Sequence, residues 1–584
     1  MINLKLKLLF IDSKNNLIEG DGMARKTSGW VLASAMAASC AYAQTTPPDA
    51  GVLIQQVPRP GLLPSPRPAQ PTEVAPQPAV RAPGPKVRVL SFQVQGNSLL
   101  SQEQLAPTLA PYLHQSLDLG QLEQVAQALA HRYREDGWVV SAYLPAQDVT
   151  QGNVLIQIEE AKLGNLRLSA PEGLRGSQER AQRYFDALLS TDQALNVDAL
   201  DRAQLLANEL LGLDVVTNFK KGQRVGTTDV DVSLRDKPAL ATDLLTDNAG
   251  ARATGRARFN AMMEWRNPLQ GSDTWSLALM HAEGSDNVRL GLGLPVGAQG
   301  WRVGASLAHY QFRVITPEFA ALNLKGEVQS LGLEASYPWL RQRDRSVSLL
   351  ITADHKIMDN RANGNITSHY NTQSGTLALQ GRQSDGLGGG GSTYGQLGLT
   401  AGQLNLNGSP TQATDALGAR TEGSYTKWRA TISRLQNLST NWALQLSHSA
   451  QWANRNLDSS EKLFIGGADS VRAFPVSEAG GARGSVSSLE LSWRLDSATT
   501  LFGFYDYGQV RVNVDNAYAQ APDPNRISLQ GAGLGAQWRA ANGLQLKLSW
   551  ARRLKDNPHP NSNGYDQDGS LLRDRVWVSA LYSF

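Results

Sequence analysis

Asn456-Leu-Asp-Ser-Ser-Glu-Lys-Leu-Phe-Ile-Gly-Gly-Ala-Asp-Ser-Val-Arg-Ala-Phe-Pro475 interrupts a region whose other segments alternate apolar and polar residues. A half-buried strand alternates with period two. This run does not. It is polar, carries Gly466 and Gly467, and places Arg472 between Val471 and Phe474. Such a segment reads as a loop. An arginine flanked by apolar side chains points to a loop folded inward, not one extended into solvent. If the surrounding strands close into a barrel, its lumen is occluded from within.

The flanking pattern supports a barrel. Trp275, Leu277 and Leu279 oppose Thr274 and Ser276, and Leu290, Leu292 and Leu294 oppose Arg289, Gly291 and Gly293. In the last segment Val576, Val578, Ala580, Tyr582 and Phe584 share one face, and Arg575, Ser579 and Ser583 the other. Trp577 and Leu581 fall on the second face and spoil the alternation. A terminal aromatic on an apolar-faced strand fits an outer-membrane barrel, so Tyr582 and Phe584 read as a C-terminal assembly signal. Asn267–Asp273, Pro295–Gly300 and Pro338–Asp344 read as short turns on one rim. Gly386–Gly391, Gly402–Thr426 and Asn513–Asn525 read as longer loops on the other. Residues 237–584 accommodate on the order of 16 crossings at ~10 residues each. Nothing after Ala43 resembles a membrane helix, and only helices and closed barrels satisfy every backbone group in lipid.

The chain has 584 residues, with Lys+Arg 55 against Asp+Glu 52. That balance gives no sign of a nucleic-acid partner. Its one cysteine is Cys40, so neither a disulfide framework nor a cysteine metal site is available. Residues 1–43 read as a signal peptide. Arg25 and Lys26 precede an apolar run from Trp30, and Ala41-Tyr42-Ala43 forms a small-x-small cleavage site. The true start is either Met1 or Met23. Residues 44–86 are proline-rich and favour an extended linker. Asp49–Gln56 can form one or two helical turns before Pro58 and Pro60.

Two small α/β units follow. In residues 87–162, strand-like alternation from Val87 leads to a helix that Ser101 can cap. A second helix carries Leu122, Val125, Ala126, Leu129 and Tyr133 on one face, and two strands follow. Residues 163–236 repeat this β-α-α-β-β order, with Asn196 as the cap of the second helix and Val230, Val232 and Leu234 alternating in the last strand. The fold class is therefore mixed: two tandem β-α-α-β-β units, then an antiparallel barrel.

No enzyme or cofactor signature emerges. The 8 histidines are scattered, and the glycine run 388–391 lacks the Lys-Ser/Thr of a phosphate loop. Arg472 has a candidate partner in Asp506, which lies in Leu501-Phe-Gly-Phe-Tyr-Asp-Tyr-Gly508, where Gly508 permits close backbone approach.

At these residues the chain resembles the outer-membrane transporters of two-partner secretion, the haemolysin secretion/activation and filamentous-haemagglutinin transporter family. The family's Val-Arg-Gly-Tyr/Phe tetrad is matched by Val471-Arg472-Ala473-Phe474, and its Asp-x-Gly by Asp506-Tyr507-Gly508. The barrel-entry motif Asp-Asn-x-Gly-x-x-x-Thr-Gly is matched by Asp247, Asn248, Gly250, Thr254 and Gly255. Ala473 departs from the tetrad glycine, and a positive φ there would be strained. The resemblance implies two periplasmic POTRA domains, a 16-stranded barrel and an inward loop around 463–484. It also implies a plug helix, which Pro58 and Pro60 would leave short or absent. Its implied partners are a large secreted exoprotein recognised through its N-terminal secretion domain, outer-membrane lipids, and the barrel-assembly machinery that inserts the chain. It implies no cofactor and no catalysis, and leaves open whether the partner is also activated. The nearest alternative is a barrel-assembly factor of the same superfamily.

Overall fold

The computed structural model describes residues 48–57 and 85–584. The signal segment and most of the proline-rich stretch, with Pro58 and Pro60, lie outside the described residues.

The first α/β unit has a three-stranded sheet with Asn153–Glu160 in the centre. Ser91–Gln95 pairs with it in parallel and Val140–Tyr143 antiparallel. The alternation from Val87 does not form one strand. Val87–Arg88 pairs with Ser116–Leu117, whereas the amides of Leu90 and Ser91 turn to the Gly152 carbonyl. The chain changes partner at that point, so the strand breaks. Ser101 and Asp118 each cap a helix through a capping box, with Gln104 and Gln121 reaching back to the cap amide. The helices cover the sheet with Leu105, Val125, Leu129 and Tyr133. The second unit has the same order, with Thr227–Asp236 central between Lys162–Ser169 and Leu213–Lys221. The Asn196 side chain accepts from the Ala199 amide and starts the helix Val197–Leu210.

From Leu240 the chain forms a closed antiparallel barrel of 16 strands. Among the described residues no helix is long and apolar enough to cross a membrane; the crossings are strands. Leucines such as Leu331, Leu377, Leu397 and Leu489 stand exposed on the outer wall. Trp265, Trp275, Trp442 and Trp538 lie toward the rim that carries the α/β units, and Trp428, Trp452 and Trp550 toward the far rim. An apolar band between two aromatic girdles is what a bilayer selects. The wall is tall on one side, where Asn365–Asp385 runs 21 residues, and low where the first strand, Leu240–Asp247, meets the last, Asp574–Ser583.

Two loop expectations need correction. Gly386–Gly391 is a tight turn on the near rim, not a far-rim loop, because it links the end of Asn365–Asp385 to the start of Gly391–Asn405. Its glycines take positive φ at 388, 389 and 390, which is how the reversal closes within so few residues. The loop sought at Gly402–Thr426 is shorter: the strands continue to Asn405 and resume at Gly423, leaving 406–422, which contains the short helix Gln412–Leu417.

Candidate functional site

Among the described residues, two pieces of the chain itself fill the lumen. One is the helix Ala50–Ile54, capped by the Asp49 side chain on the Val52 amide. Ala50, Leu53, Ile54 and Val57 are buried against inward side chains of the wall, among them Tyr310, Phe312, Met358 and Tyr370. The other is the segment 454–482. It starts before Leu463 and ends before Arg483, where the next strand begins, and it contains a small hairpin pairing Leu463–Ile465 with Ala479–Gly481.

The tip of this hairpin holds the tetrad. Gly466 and Gly467 have φ of 100° and 103°, and a Cβ on Gly466 would lie 2.3 Å from the Pro475 carbonyl oxygen. Only glycine fits this reversal. Val471, Ala473 and Phe474 are fully buried. Arg472 donates from Nε and Nη2 to the two Asp506 carboxylate oxygens, each at 2.8 Å. Its backbone amide also donates to Asp506, at 3.1 Å. Nη1 reaches Glu490 at 2.9 Å, and Ser488 Oγ bridges Arg472 and Asp506. The guanidinium carbon lies 3.3 Å from the centre of the Phe504 ring. Asp506 is wholly buried. A planar fork matched to a carboxylate, with further donors bonded to Glu490 and Ser488, is the geometry in which a buried ion pair is well compensated.

The neighbouring glycines make room for the tetrad. A Cβ on Gly508 would lie 2.8 Å from Val471 Cγ2, and a Cβ on Gly531 would lie 2.5 Å from Ala473 Cβ. Ala473 is not among the residues with a left-handed backbone, so the strain expected from its replacing glycine is absent. The methyl group it adds is seated against a glycine on the wall. Trp577, whose inward position breaks the alternation of the last strand, donates its indole N–H to the Arg472 carbonyl at 2.8 Å. Arg553 lies over the Phe474 ring at 4.6 Å.

Of the further anchors, Glu461 lies within the stretch 456–475 singled out in the sequence, whereas its partners and the Glu478 and Asp566 contacts had no signal there. Glu461, 5% exposed, pairs with Lys356 at 3.0 Å and Lys427 at 2.6 Å, on other strands of the wall than those that hold Arg472. Glu478 accepts from Asn557 and from the Gln567 amide, and Asp566 pairs with Arg553 and Arg575. The two luminal pieces also touch. Ser459 Oγ donates to Asp49 at 2.8 Å, Gln55 Nε2 donates to the Ser459 carbonyl at 2.7 Å, and Gly51 lies against Ser459 with no space for a Cβ.

The barrel-entry residues lie apart from the tetrad, where the first strand leaves the wall. Asp247 pairs with Arg258, which donates to the Gln56 carbonyl at 3.0 Å. Asn248 faces the last strand. Gly250 turns back to the Arg256 carbonyl, Gly255 has φ 110°, and Thr254 is buried. Tyr582 and Phe584 lie at the near rim on the outer wall, ring centres 5.5 Å apart. At the same rim the helix Val197–Leu210 grips the turn after Lys325–Arg341. Arg343 forks onto Asp201 at 2.7 Å, Arg341 onto Glu209 at 2.9 Å, and Arg202 donates to the Pro338 carbonyl at 2.7 Å.

Known proteins show the same architecture. The solved CdiB structure from Escherichia coli superposes with TM-score 0.65 at 20% identity, covering 88% of this chain and 94% of that one. CdiB from Acinetobacter baumannii gives 0.61 at 18%, covering 89% and 95%. In sequence, the heme/hemopexin transporter protein HuxB of Haemophilus influenzae is 24% identical over 84% of this chain and 86% of its own length. The outer membrane transporter CdiB of Escherichia coli is 24% identical over 81% and 79%. Residues 87–161 match the POTRA domain of ShlB type. Residues 226–538, more than half of the chain, match the family described as haemolysin secretion/activation protein ShlB/FhaC/HecB, and the protein belongs to that family.

Proposed function

We propose that the protein is an outer-membrane transporter that captures one secreted partner protein in the periplasm and passes it through its barrel to the cell surface. The observation that carries this reading is the lumen. It is closed by two segments of the same chain, and one of them is seated by a buried arginine–aspartate fork. A static structural barrel needs no such seat. Relatives over most of the chain are named as transporters, of heme/hemopexin in one case. The role is transport and not catalysis.

The α/β units lie in the periplasm, and each offers sheet edges. On the edge strand Leu213–Lys221, Val216 and Phe219 are exposed; Asn208 and Gln204 occupy the edge only at the Val215 backbone. An extended segment of the partner can add there as a further strand. The outer leucine band and tryptophan girdles fit outer-membrane lipid, and Tyr582 and Phe584 fit a signal read by the assembly machinery during insertion. The test is deletion of this gene, followed by assay of the medium for any large exoprotein that a neighbouring gene encodes. Loss of that protein with normal levels of other outer-membrane barrels supports export. General loss of barrels with the exoprotein still secreted supports an assembly factor instead.

A further inference from the structure

The barrel closes where its first strand, Leu240–Asp247, meets its last, Asp574–Ser583. The register there runs only from Ser583↔Asp243 to Ser579↔Asp247, shorter than any other ladder of the wall. Beyond Asp247 the first strand turns away, since the Gly250 amide goes to the Arg256 carbonyl. The last strand continues, and its Val578 amide and Val576 carbonyl would lack ladder partners. One side chain supplies both. Asn248 Oδ1 accepts from the Val578 amide at 2.9 Å, and Asn248 Nδ2 donates to the Val576 carbonyl at 2.9 Å. The Asn248 backbone amide donates to the Val578 carbonyl at 3.3 Å. The carboxamide has one acceptor and one donor in a plane, as a peptide group has. Its oxygen takes the place of the Asn248 carbonyl, and its nitrogen the place of the N–H two residues on.

We propose that Asn248 is a seam clasp, a positioning residue whose side chain extends the first strand by a surrogate peptide group and holds the wall shut at its weakest line. The adjacent Asp247 pairs with Arg258, which holds the Gln56 carbonyl just past the luminal helix. The clasp therefore stands beside the point where the plug is tied to the wall. The carboxamide is needed as such. An aspartate keeps the acceptor for Val578 but sets a carboxylate oxygen against the Val576 carbonyl, and an alanine leaves both groups of the last strand unpaired.

The test is amide hydrogen exchange of the full chain in lipid nanodiscs, followed on peptides covering 574–584, with peptides covering 365–385 on the tall wall as reference. Asn248→Ala should raise exchange in 574–584 by about tenfold and leave the reference unchanged. Asn248→Asp should fall between wild type and the alanine variant. Leu245 and Leu581 are register partners across the seam. They occupy a non-hydrogen-bonded site, whose short Cα separation suits a disulfide. Oxidised Leu245→Cys with Leu581→Cys should restore protection to the alanine variant. Unchanged exchange in Asn248→Ala, equal loosening of the reference strand, full protection in Asn248→Asp, or a formed disulfide that restores nothing would each overturn the proposal.

Discussion

Arg472→Ala removes the guanidinium and leaves Asp506 wholly buried, with the Ser488 hydroxyl as its remaining side-chain partner. Stranding one member of a buried pair costs about 3–5 kcal/mol. With about 1.4 kcal/mol per factor of ten, the fraction of time the tetrad spends out of its seat should rise roughly one hundred- to several thousandfold. Asp506→Ala should cost less, toward the low end, because Arg472 keeps Glu490 at 2.9 Å and the face of Phe504. The double variant should fall well short of the product of the two single effects, since it removes both members of the buried fork and leaves only the partly exposed Glu490 without its cation. Val471→Cys reports the equilibrium directly. The position is fully buried, and the only natural cysteine, Cys40, can be replaced by serine. Maleimide labelling in nanodiscs then proceeds only from the unseated state. Secretion of the partner should fall in both single variants while barrel insertion is preserved. Multiplicative single effects, or labelling within about twofold of wild type, would refute the coupling.

Gly531→Ala should unseat the loop at a cost of about 1–3 kcal/mol, because its methyl group would lie 2.5 Å from Ala473 Cβ; adding Ala473→Gly should recover secretion. Glu461→Gln strands Lys356 and Lys427, and labelling at the tetrad should rise by at least about a hundredfold; adding Lys356→Met and Lys427→Met should reverse most of the rise. Asp201→Ala breaks the partly exposed fork to Arg343 and should cost only about 0.2–1 kcal/mol. Glu209→Ala, which orphans the buried Arg341, should cost more, read as loss of an engineered crosslink between the second α/β unit and the 338–345 turn. Removing Ala50–Ile54 should raise single-channel conductance in planar bilayers without unfolding the wall.

Local rules reach some of this molecule and stop at others. Period-two alternation exposes the strands because each side chain answers to its own face, and the failure of alternation at Asn456–Pro475 exposes the inward segment. Arg472 and Asp506 can be nominated because each carries an unusual neighbourhood, apolar flanks for one and Asp-x-Gly for the other. Lys356 and Lys427 carry none. They read as ordinary wall residues until closure of the barrel brings Glu461 against them. The rim of Gly386–Gly391 is not legible locally, because loop composition does not encode which rim a turn occupies; only the parity of strands counted from Leu240 does. The inward indole of Trp577 breaks the local pattern, and its reason lies 105 residues away at the Arg472 carbonyl.

The two luminal pieces are held by different physics, and the difference bears on which one export can displace. The helix contributes apolar burial through Leu53, Ile54 and Val57, with hydrogen bonds to Asn360, Ser459 and Arg258. Each such side chain is worth about 1.5–3 kcal/mol when shielded from water. That shielding is non-directional, so the apolar side chains of a passing unfolded polypeptide can supply it equally well. The loop is held by Arg472 to Asp506 and Glu490 and, at a second point, by Glu461 to two lysines on other strands. A neutral chain cannot replace those charges, and removing the loop strands them at two places on the wall. The helix is therefore the cheaper element to exchange for cargo. The loop, seated at both ends by charge, is the element around which a moving chain has to pass.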